Sequence, residues 1–259
     1  MQGKIKKTIG IIPARYASTR FPGKPLVNIA GKSMLQRVYE QAKQVPDLSA
    51  VYVATDDVRI LEHVTAFGGQ AMMTSENHQS GTDRCAEILA SLADKDISFV
   101  VNIQGDEPFI APEQIQQLIE IIRGDTNENI LQNPPLATLA KQITTDKELF
   151  NENIVKVVFD DKLSALYFSR NPIPFVRGKE RTEWLKGNLF FKHIGLYAYQ
   201  ADVLLEIAKL ASGRLEKMES LEQLRWLENG FSIQCGITDK ETIGIDTPED
   251  LEGIILNFE

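Results

Sequence analysis

The first 39 residues lack acid. They hold Lys4, Lys6, Lys7, Arg15, Arg20, Lys24, Lys32 and Arg37 and no aspartate or glutamate, so they carry +8, the rest of the 259-residue chain carries −16, and the whole nets −8. An acidic chain argues against non-specific nucleic-acid binding by the whole surface, so no nucleic-acid partner is expected. A local positive field within it suits a small anion. Lys4, Lys6 and Lys7 read as a solvated basic start. Arg15, Arg20 and Lys24 do not, because they share one loop directly behind the apolar run "IGIIPA", with no acid nearby in sequence. Cysteine is scarce too. Cys85 and Cys235 stand far apart and match no metal or redox spacing. They predict reduced, buried thiols and a cytoplasmic protein. No apolar run approaches the ~20 residues of a membrane-spanning helix. The run behind the first lysines breaks at Arg15 after about six residues, short of a secretory signal. No membrane partner is therefore expected.

Two glycine signatures are also missing. The "GKS" at 31–33 resembles the end of a phosphate-binding P-loop, but that loop needs an earlier glycine where Leu26 stands. No G-x-G-x-x-G follows the first strand-like run. P-loop ATPase and dinucleotide readings both weaken, and Gly31 and Ser33 read as a turn and a helix cap.

Ordinary globular composition is present, 43% hydrophobic and 25% charged, which fits one α/β domain over residues 1–259. Strand-like runs at 8–14, 50–57, "QAMMT" and "ISFVVNIQGDEP" alternate with helical periodicity at 33–45, "VRILEHVTAFGG", "GTDRCAEILASLA" and "PEQIQQLIEIIRG". This is the rhythm of a parallel sheet. From residue 134 the runs "PLATLAKQ", "NIVKVVFD", "SALYFSR" and "FFKHIGLYAYQ" are mostly strand-like. They predict antiparallel extensions or a β-rich dimerisation lobe. Helices are expected at 201–211 and 216–229, then the strand "FSIQCGI" and a last helix from Pro248.

Ligands of open parallel sheets bind outside the carboxyl ends of the strands. That rule selects the loops after Pro13, Thr55, Thr74 and Gln104. In "ARYASTRFPGK", Arg15, Arg20 and Lys24 suit a triphosphate, with arginine offering a planar fork and lysine a point charge. An exposed basic loop is the alternative. In "NIQGDEP", Asp106 and Glu107 follow a buried strand, where a carboxylate holds a hard cation such as Mg²⁺, or forms a plain acidic turn. Asp246 in "GIDTPED" is a second candidate, with helix capping as its rival. In "NHQSGTDR", Ser80, Thr82 and the backbone at Gly81 suit a base edge and Arg84 a phosphate or carbonyl, against simple capping by Ser80 or Thr82. Arg170 and His193 interrupt apolar strands, and Tyr197 stands four residues on, facing the same way as His193. An acidic substrate would suit Arg170, while His193 is equally readable as a hydrogen-bonded structural histidine. The run "LEKMESLEQLRWL", with Glu222 and Gln223, reads as a helix with a solvated face.

Taken together, "IIPARYASTRFPGKPL", "HQSGTDR", "NIQGDEP", "VKVVFD…ALYFSR", "KHIGLYAY", "LEQLR" and "GIDTPEDL" resemble the 3-deoxy-manno-octulosonate (Kdo) cytidylyltransferase family, the CMP-Kdo synthetases, in order and across nearly the whole chain. The resemblance implies a nucleotide-diphospho-sugar transferase fold, a Rossmann-like mixed and mostly parallel sheet, in a homodimer. It implies that CTP and Kdo, an acidic eight-carbon sugar, give CMP-Kdo and pyrophosphate with Mg²⁺, in the cytoplasm, for lipopolysaccharide. On the same basis Ala14, Arg15, Arg20, Lys24, Gln79, Ser80, Arg84 and Asp106 would bind the nucleotide. Arg15, Lys24 and Asp106 would be catalytic, and Asp106 and Asp246 would hold the metal. Gln104, Arg170, His193, Tyr197, Glu222 and Gln223 would form the sugar pocket. The 8-amino analogue of Kdo, a sugar 1-phosphate acceptor and a non-catalytic CTP-binding protein remain alternatives. The segment after Arg170, "SRNPIPFVRGKERTEWLKGN", carries no assigned role.

Overall fold

The computed structural model describes residues 6–17, 21–94, 96–126, 131–187, 189–245 and 247–255. The opening apolar run forms β1 (Lys7–Ala14). A short hairpin follows, β2 (Asn28–Ile29) and β3 (Lys32–Ser33), then α1 (Met34–Lys43), β4 (Leu48–Thr55), α2 (Val58–Ala66) and β5 (Ala71–Met73). The chain continues through α3 (Gly81–Ser91), β6 (Ile97–Asn102), α4 (Pro112–Arg123) and β7 (Leu136–Gln142). Next come α5 (Asp146–Leu149), β8 (Lys156–Phe159), β9 (Ala165–Ser169) and β10 (Phe191–Gln200). The last elements are α6 (Ala201–Ile207), α7 (Arg214–Glu219), α8 (Gln223–Glu228), β11 (Ile233–Ile237) and α9 (Pro248–Ile255).

The main sheet runs β11-β7-β10-β6-β1-β4-β5. Strand β1 pairs in parallel with β4 and β6, β4 with β5, and β11 with β7. Strand β10 runs antiparallel to both β6 and β7. The mixed, mostly parallel sheet therefore matches the expected fold class. The β-rich second half does not build a sheet of its own. Strands β7, β10 and β11 complete the main sheet, and the β8–β9 ribbon extends it along the first residues of β10.

Alternation along β1 explains why its sequence is apolar almost without break. Ile9 and Ile11 point into a core with Cys85 and Ile88 of α3, Leu204 of α6 and Trp226 of α8. Ile12 and Ala14 point the other way, into a core with Leu35 of α1, Ile60 of α2 and Ile115 of α4. A central strand covered on both faces needs apolar side chains on both. Helix ends follow local chemistry. Ser33 caps α1 by accepting from the Gln36 amide, and Gly124 closes α4 in the left-handed region at φ 75°.

One expectation about the helices changes. The helix foreseen over 216–229 is two short helices, because Ser220 takes a left-handed conformation at φ 53° and turns the chain between α7 and α8. The unassigned segment after Arg170 contains a 3₁₀ turn, Arg181–Gly187, whose Trp184 joins Ile143, Leu149 and Phe190 in a small separate core. Cys85 and Cys235 are buried and free, as expected. Among the described residues no helix is long and apolar enough to cross a membrane.

Candidate active site

The carboxyl ends of β1, β4 and β6 lie side by side, and the loops leaving β1 and β6 meet α3 around one cleft. Its walls include Ala14, Arg15, Lys24, Gln79, Ser80, Arg84, Gln104 and Asp106. The floor is tight. A side chain at Gly105 would place its Cβ 2.8 Å from the Pro13 carbonyl oxygen, so the β6 loop reaches the β1 loop only as glycine. Seven predicted nucleotide-side positions thus converge with Gln104, although they come from four separate stretches. Arg20 and Asp246 lie outside the described residues.

Sequence spacing suggested unpaired cations, and for Lys24 the structure corrects this. Its Nζ lies 2.8 Å from Asp106 Oδ2, a partner 82 positions away that no local reading finds. Arg15 is exposed and makes no hydrogen bond or ion pair among the described residues. The neighbouring acids differ in state. Burial, and then the negative charge of Asp106, push the Glu107 carboxyl up to about 8, and its Oε2 has no hydrogen-bond partner. Burial thus favours the protonated form of Glu107, and Asp106, paired with Lys24, is the acid of the two that lines the cleft. The Ile245 amide donates to the Asp106 carbonyl at 3.0 Å, which ties the far end of the chain to this loop.

The capping reading of "HQSGTDR" is realised, and the stretch also borders the cleft. Ser80 caps α3, accepting from the Asp83 amide while Asp83 accepts from the Ser80 amide, and both Ser80 and Gln79 also line the cleft. Arg84 departs from its expected reach toward a phosphate. It is 4% exposed, with one guanidinium nitrogen 2.6 Å from Asp56 and another 2.7 Å from the Thr74 hydroxyl. Its atoms are held by the protein, so it acts as a rigid wall.

The expected sugar-side residues are less open, and Gln104 alone of them lies on the cleft wall. Its amide donates to the Gly195 carbonyl of β10 at 2.8 Å. Arg170, expected to take a carboxylate, instead donates to the carbonyls of Glu219, Glu152 and Ser220 at 2.7, 3.1 and 3.5 Å. These carbonyls come from turns that no sequence pattern brings together. His193 bonds to Thr138, and burial lowers its ring to about 3, so it is neutral although part of its surface stays open. Tyr197 is buried with a hydroxyl that has no partner, and burial raises it well above the usual phenol range. Glu222 accepts from Thr82 at 2.9 Å, burial raises its carboxyl, and Gln223 is buried at the start of α8.

Motif reading missed one supporting unit, the acid pair at the end of β4. Asp56 holds Arg84. Asp57 caps α2 and binds Arg59 at 2.6 Å, and Arg59 lies 3.3 Å above the centre of the Tyr16 ring. Tyr16 closes the cationic loop, since its carbonyl accepts from the Gly23 amide at 3.0 Å. The signal was present as two consecutive acids ending a buried strand.

Comparison with known proteins adds the chemistry of relatives. A family model described as cytidylyltransferase matches residues 9–241. The 3-deoxy-manno-octulosonate cytidylyltransferase of Parabacteroides distasonis is 58% identical over 250 residues, covering 95% of this chain and 96% of that one. The chain belongs to the 3-deoxy-manno-octulosonate cytidylyltransferase family. A second family member, from Bacteroides thetaiotaomicron, is 53% identical over 95% of this chain and 96% of its own. A solved structure of CMP:2-keto-3-deoxy-manno-octonic acid synthetase complexed with CTP superposes with a TM-score of 0.87 at 40% identity, covering 98% of both chains. The 4-diphosphocytidyl-2C-methyl-D-erythritol synthase of Anaerococcus prevotii, 13% identical with a TM-score of 0.61 over 98% of both chains, shares the nucleotide-diphospho-sugar transferase fold.

Proposed function

We propose that the chain transfers CMP from CTP to the C2 hydroxyl of Kdo and releases pyrophosphate. The observation that carries this reading is the convergence of Arg15, Lys24 and Asp106 on one cleft at the carboxyl edge of the sheet, in a chain of this family. The C2 oxygen attacks the α-phosphorus in line, the bond to the pyrophosphate oxygen breaks, and the hydroxyl proton leaves to solvent. No covalent enzyme intermediate is needed. Arg15 offers its fork to the departing phosphates, and Lys24 exchanges Asp106 for a phosphate oxygen. Both are placed to stabilise charge that grows on the leaving group.

Mg²⁺ fits the donor set. Asp106 presents a carboxylate oxygen, a hard donor, to the cleft. A hard cation with few protein ligands and the rest from phosphate and water has the chemistry of Mg²⁺. Asp106, with Asp246 as the second candidate, would hold it, and it would supply neutralisation of phosphate charge. A cytoplasmic homodimer completes the proposal. The buried free thiols support the compartment, and sedimentation tests the assembly.

The test is pyrophosphate release from CTP and Mg²⁺ with Kdo, 8-amino-Kdo, sialic acid or a hexose 1-phosphate supplied singly. Release with Kdo supports the reading, and its ratio to the 8-amino rate assigns the acceptor. Release only with sialic acid or a hexose 1-phosphate refutes the sugar assignment. CTP binding without release from any acceptor favours a non-catalytic protein.

A further inference from the structure

Strand β10 slips register against β7 between Ile194 and Tyr197. At the slip sits the fully buried Thr138 of β7. Its hydroxyl oxygen lies 2.8 Å from the Leu196 carbonyl oxygen, 3.2 Å from that of Ile194 and 3.0 Å from His193 Nε2. A threonine hydroxyl has one proton. Two oxygens 2.8 Å apart are a hydrogen bond only with a proton between them. The proton therefore points at Leu196, with Ile194 as a second acceptor. A lone pair of the hydroxyl is left facing His193, so Nε2 must carry the ring hydrogen. The ring is neutral, held near 3 by burial, and so has only that one N–H. Nδ1 is left as a bare acceptor. It makes no hydrogen bond and is not among the sealed polar atoms without a partner, so it keeps some accessible surface although most of the ring is buried. Phe168, edge-on at 5.1 Å, and Tyr197, at 5.2 Å, hold the ring from its sides. The same slip presents the Gly195 carbonyl that fixes Gln104 on the cleft wall.

We propose that Thr138 is a positioning residue: it locks the β10 slip and holds His193 as the Nε2–H tautomer, so that Nδ1 accepts a hydrogen bond from a hydroxyl of the sugar acid. The assignment rests on the acceptor named under Proposed function. It removes His193 as an anchor for the carboxylate, because a bare ring nitrogen facing a carboxylate brings two acceptors together.

The chain has three histidines, which makes ¹⁵N-histidine labelling legible. Long-range ¹H–¹⁵N spectra of the free protein, with His193→Gln to assign the signal, are expected to show a protonated Nε2 and a pyridine-like Nδ1 at His193. In steady-state assays Thr138→Val is expected to raise the KM for the sugar acid about tenfold, the cost of one misplaced hydrogen-bonding group. The CTP KM stays within about twofold on the same reasoning. Thr138→Ser, which keeps the hydroxyl, is expected to recover most of the loss. A protonated Nδ1 in the wild type overturns the proposal by itself. So does a Thr138→Val variant whose two KM values rise together or stay put. Should that variant not fold, Thr138→Ala takes its place. If no sugar acid supports pyrophosphate release, the functional reading fails while the tautomer spectrum still stands, so the two failures are distinguishable.

Discussion

On the phosphate side of the cleft, Arg15 is exposed and Lys24 rests against an Asp106 carboxylate whose side chain is one-third exposed. Among the residues expected to form the sugar pocket, Arg170 is held by three backbone carbonyls, His193 is neutral and braced by Thr138, and the Tyr197 hydroxyl is buried. The difference is one of exchangeability. A partly hydrated ion pair gives up its partner at small cost when a more highly charged ligand arrives. A guanidinium or hydroxyl inside a protein-made network gives up its partners only with loss of structure. On the proposed function, the first set is suited to trade partners with a polyanion, and the second to hold a fixed shape against the hydroxyl-bearing part of a sugar acid. Substitutions on the two sides should therefore fail differently.

The largest effect is expected at Lys24. Lys24→Ala removes a charge that acts on the departing phosphates, and kcat/KM should fall about 10³-fold, the scale for a lost electrostatic stabiliser. The fold should persist, because the ion pair that disappears is partly exposed. Turnover within tenfold of wild type would remove Lys24 from its assigned role. The acid pair behind the cleft should behave in the opposite way. Asp56→Ala leaves the buried Arg84 guanidinium without its carboxylate, and denaturant unfolding should report a loss of about 3 kcal/mol. An unchanged midpoint would mean that the Thr74 hydroxyl and the Ser75 carbonyl, which accepts from Arg84 at 3.2 Å, hold Arg84 by themselves.

A smaller effect tests the brace under the phosphate loop. Arg59→Ala removes the cation stacked on Tyr16, an interaction worth about 1 kcal/mol, so the CTP KM should rise about fivefold with kcat nearly constant. Tyr16→Phe keeps the ring face and should behave as wild type, whereas Tyr16→Leu should match Arg59→Ala. Equal effects from Phe and Leu would point to the hydroxyl instead of the ring.

How legible these features were depends on the range of the interaction that makes them. β1, β4 and β6 were readable because a strand buried on both faces writes itself as a continuous apolar run, and the loops behind them followed from the carboxyl-edge rule. The Ser33 and Ser80 caps were readable because they act within three residues. The turn at Ser220 was not, since "LEKMESLEQLRWL" has no proline or glycine to mark it. The partners of Arg170 were not, because Glu152 and Glu219 lie 18 and 49 positions away. Thr138 left no trace at all. A threonine in a strand is ordinary, and its importance comes from a register slip in a different strand.

The smallest expected effect separates the two halves by their response to acid. Burial lowers His193 from 6.5 in the unfolded chain to about 3 in the folded one. Between these values the unfolded state binds the extra proton, so stability is full above about 6.5 and is lost as the pH falls toward 3. From pH 7 to pH 6 the linkage removes about 0.7 kcal/mol for a single such group. His193→Gln has no proton to bind there, so its stability should fall less than that of wild type across the interval. His63 and His78 are common to both proteins and cancel in the comparison. The sugar KM of the wild type should show no titration from this ring between pH 6 and 8, because the folded imidazole stays neutral throughout. A wild-type stability curve that runs parallel to that of the glutamine variant would mean the ring protonates freely in the folded protein, and the fixed-shape account of the sugar side would fall with it.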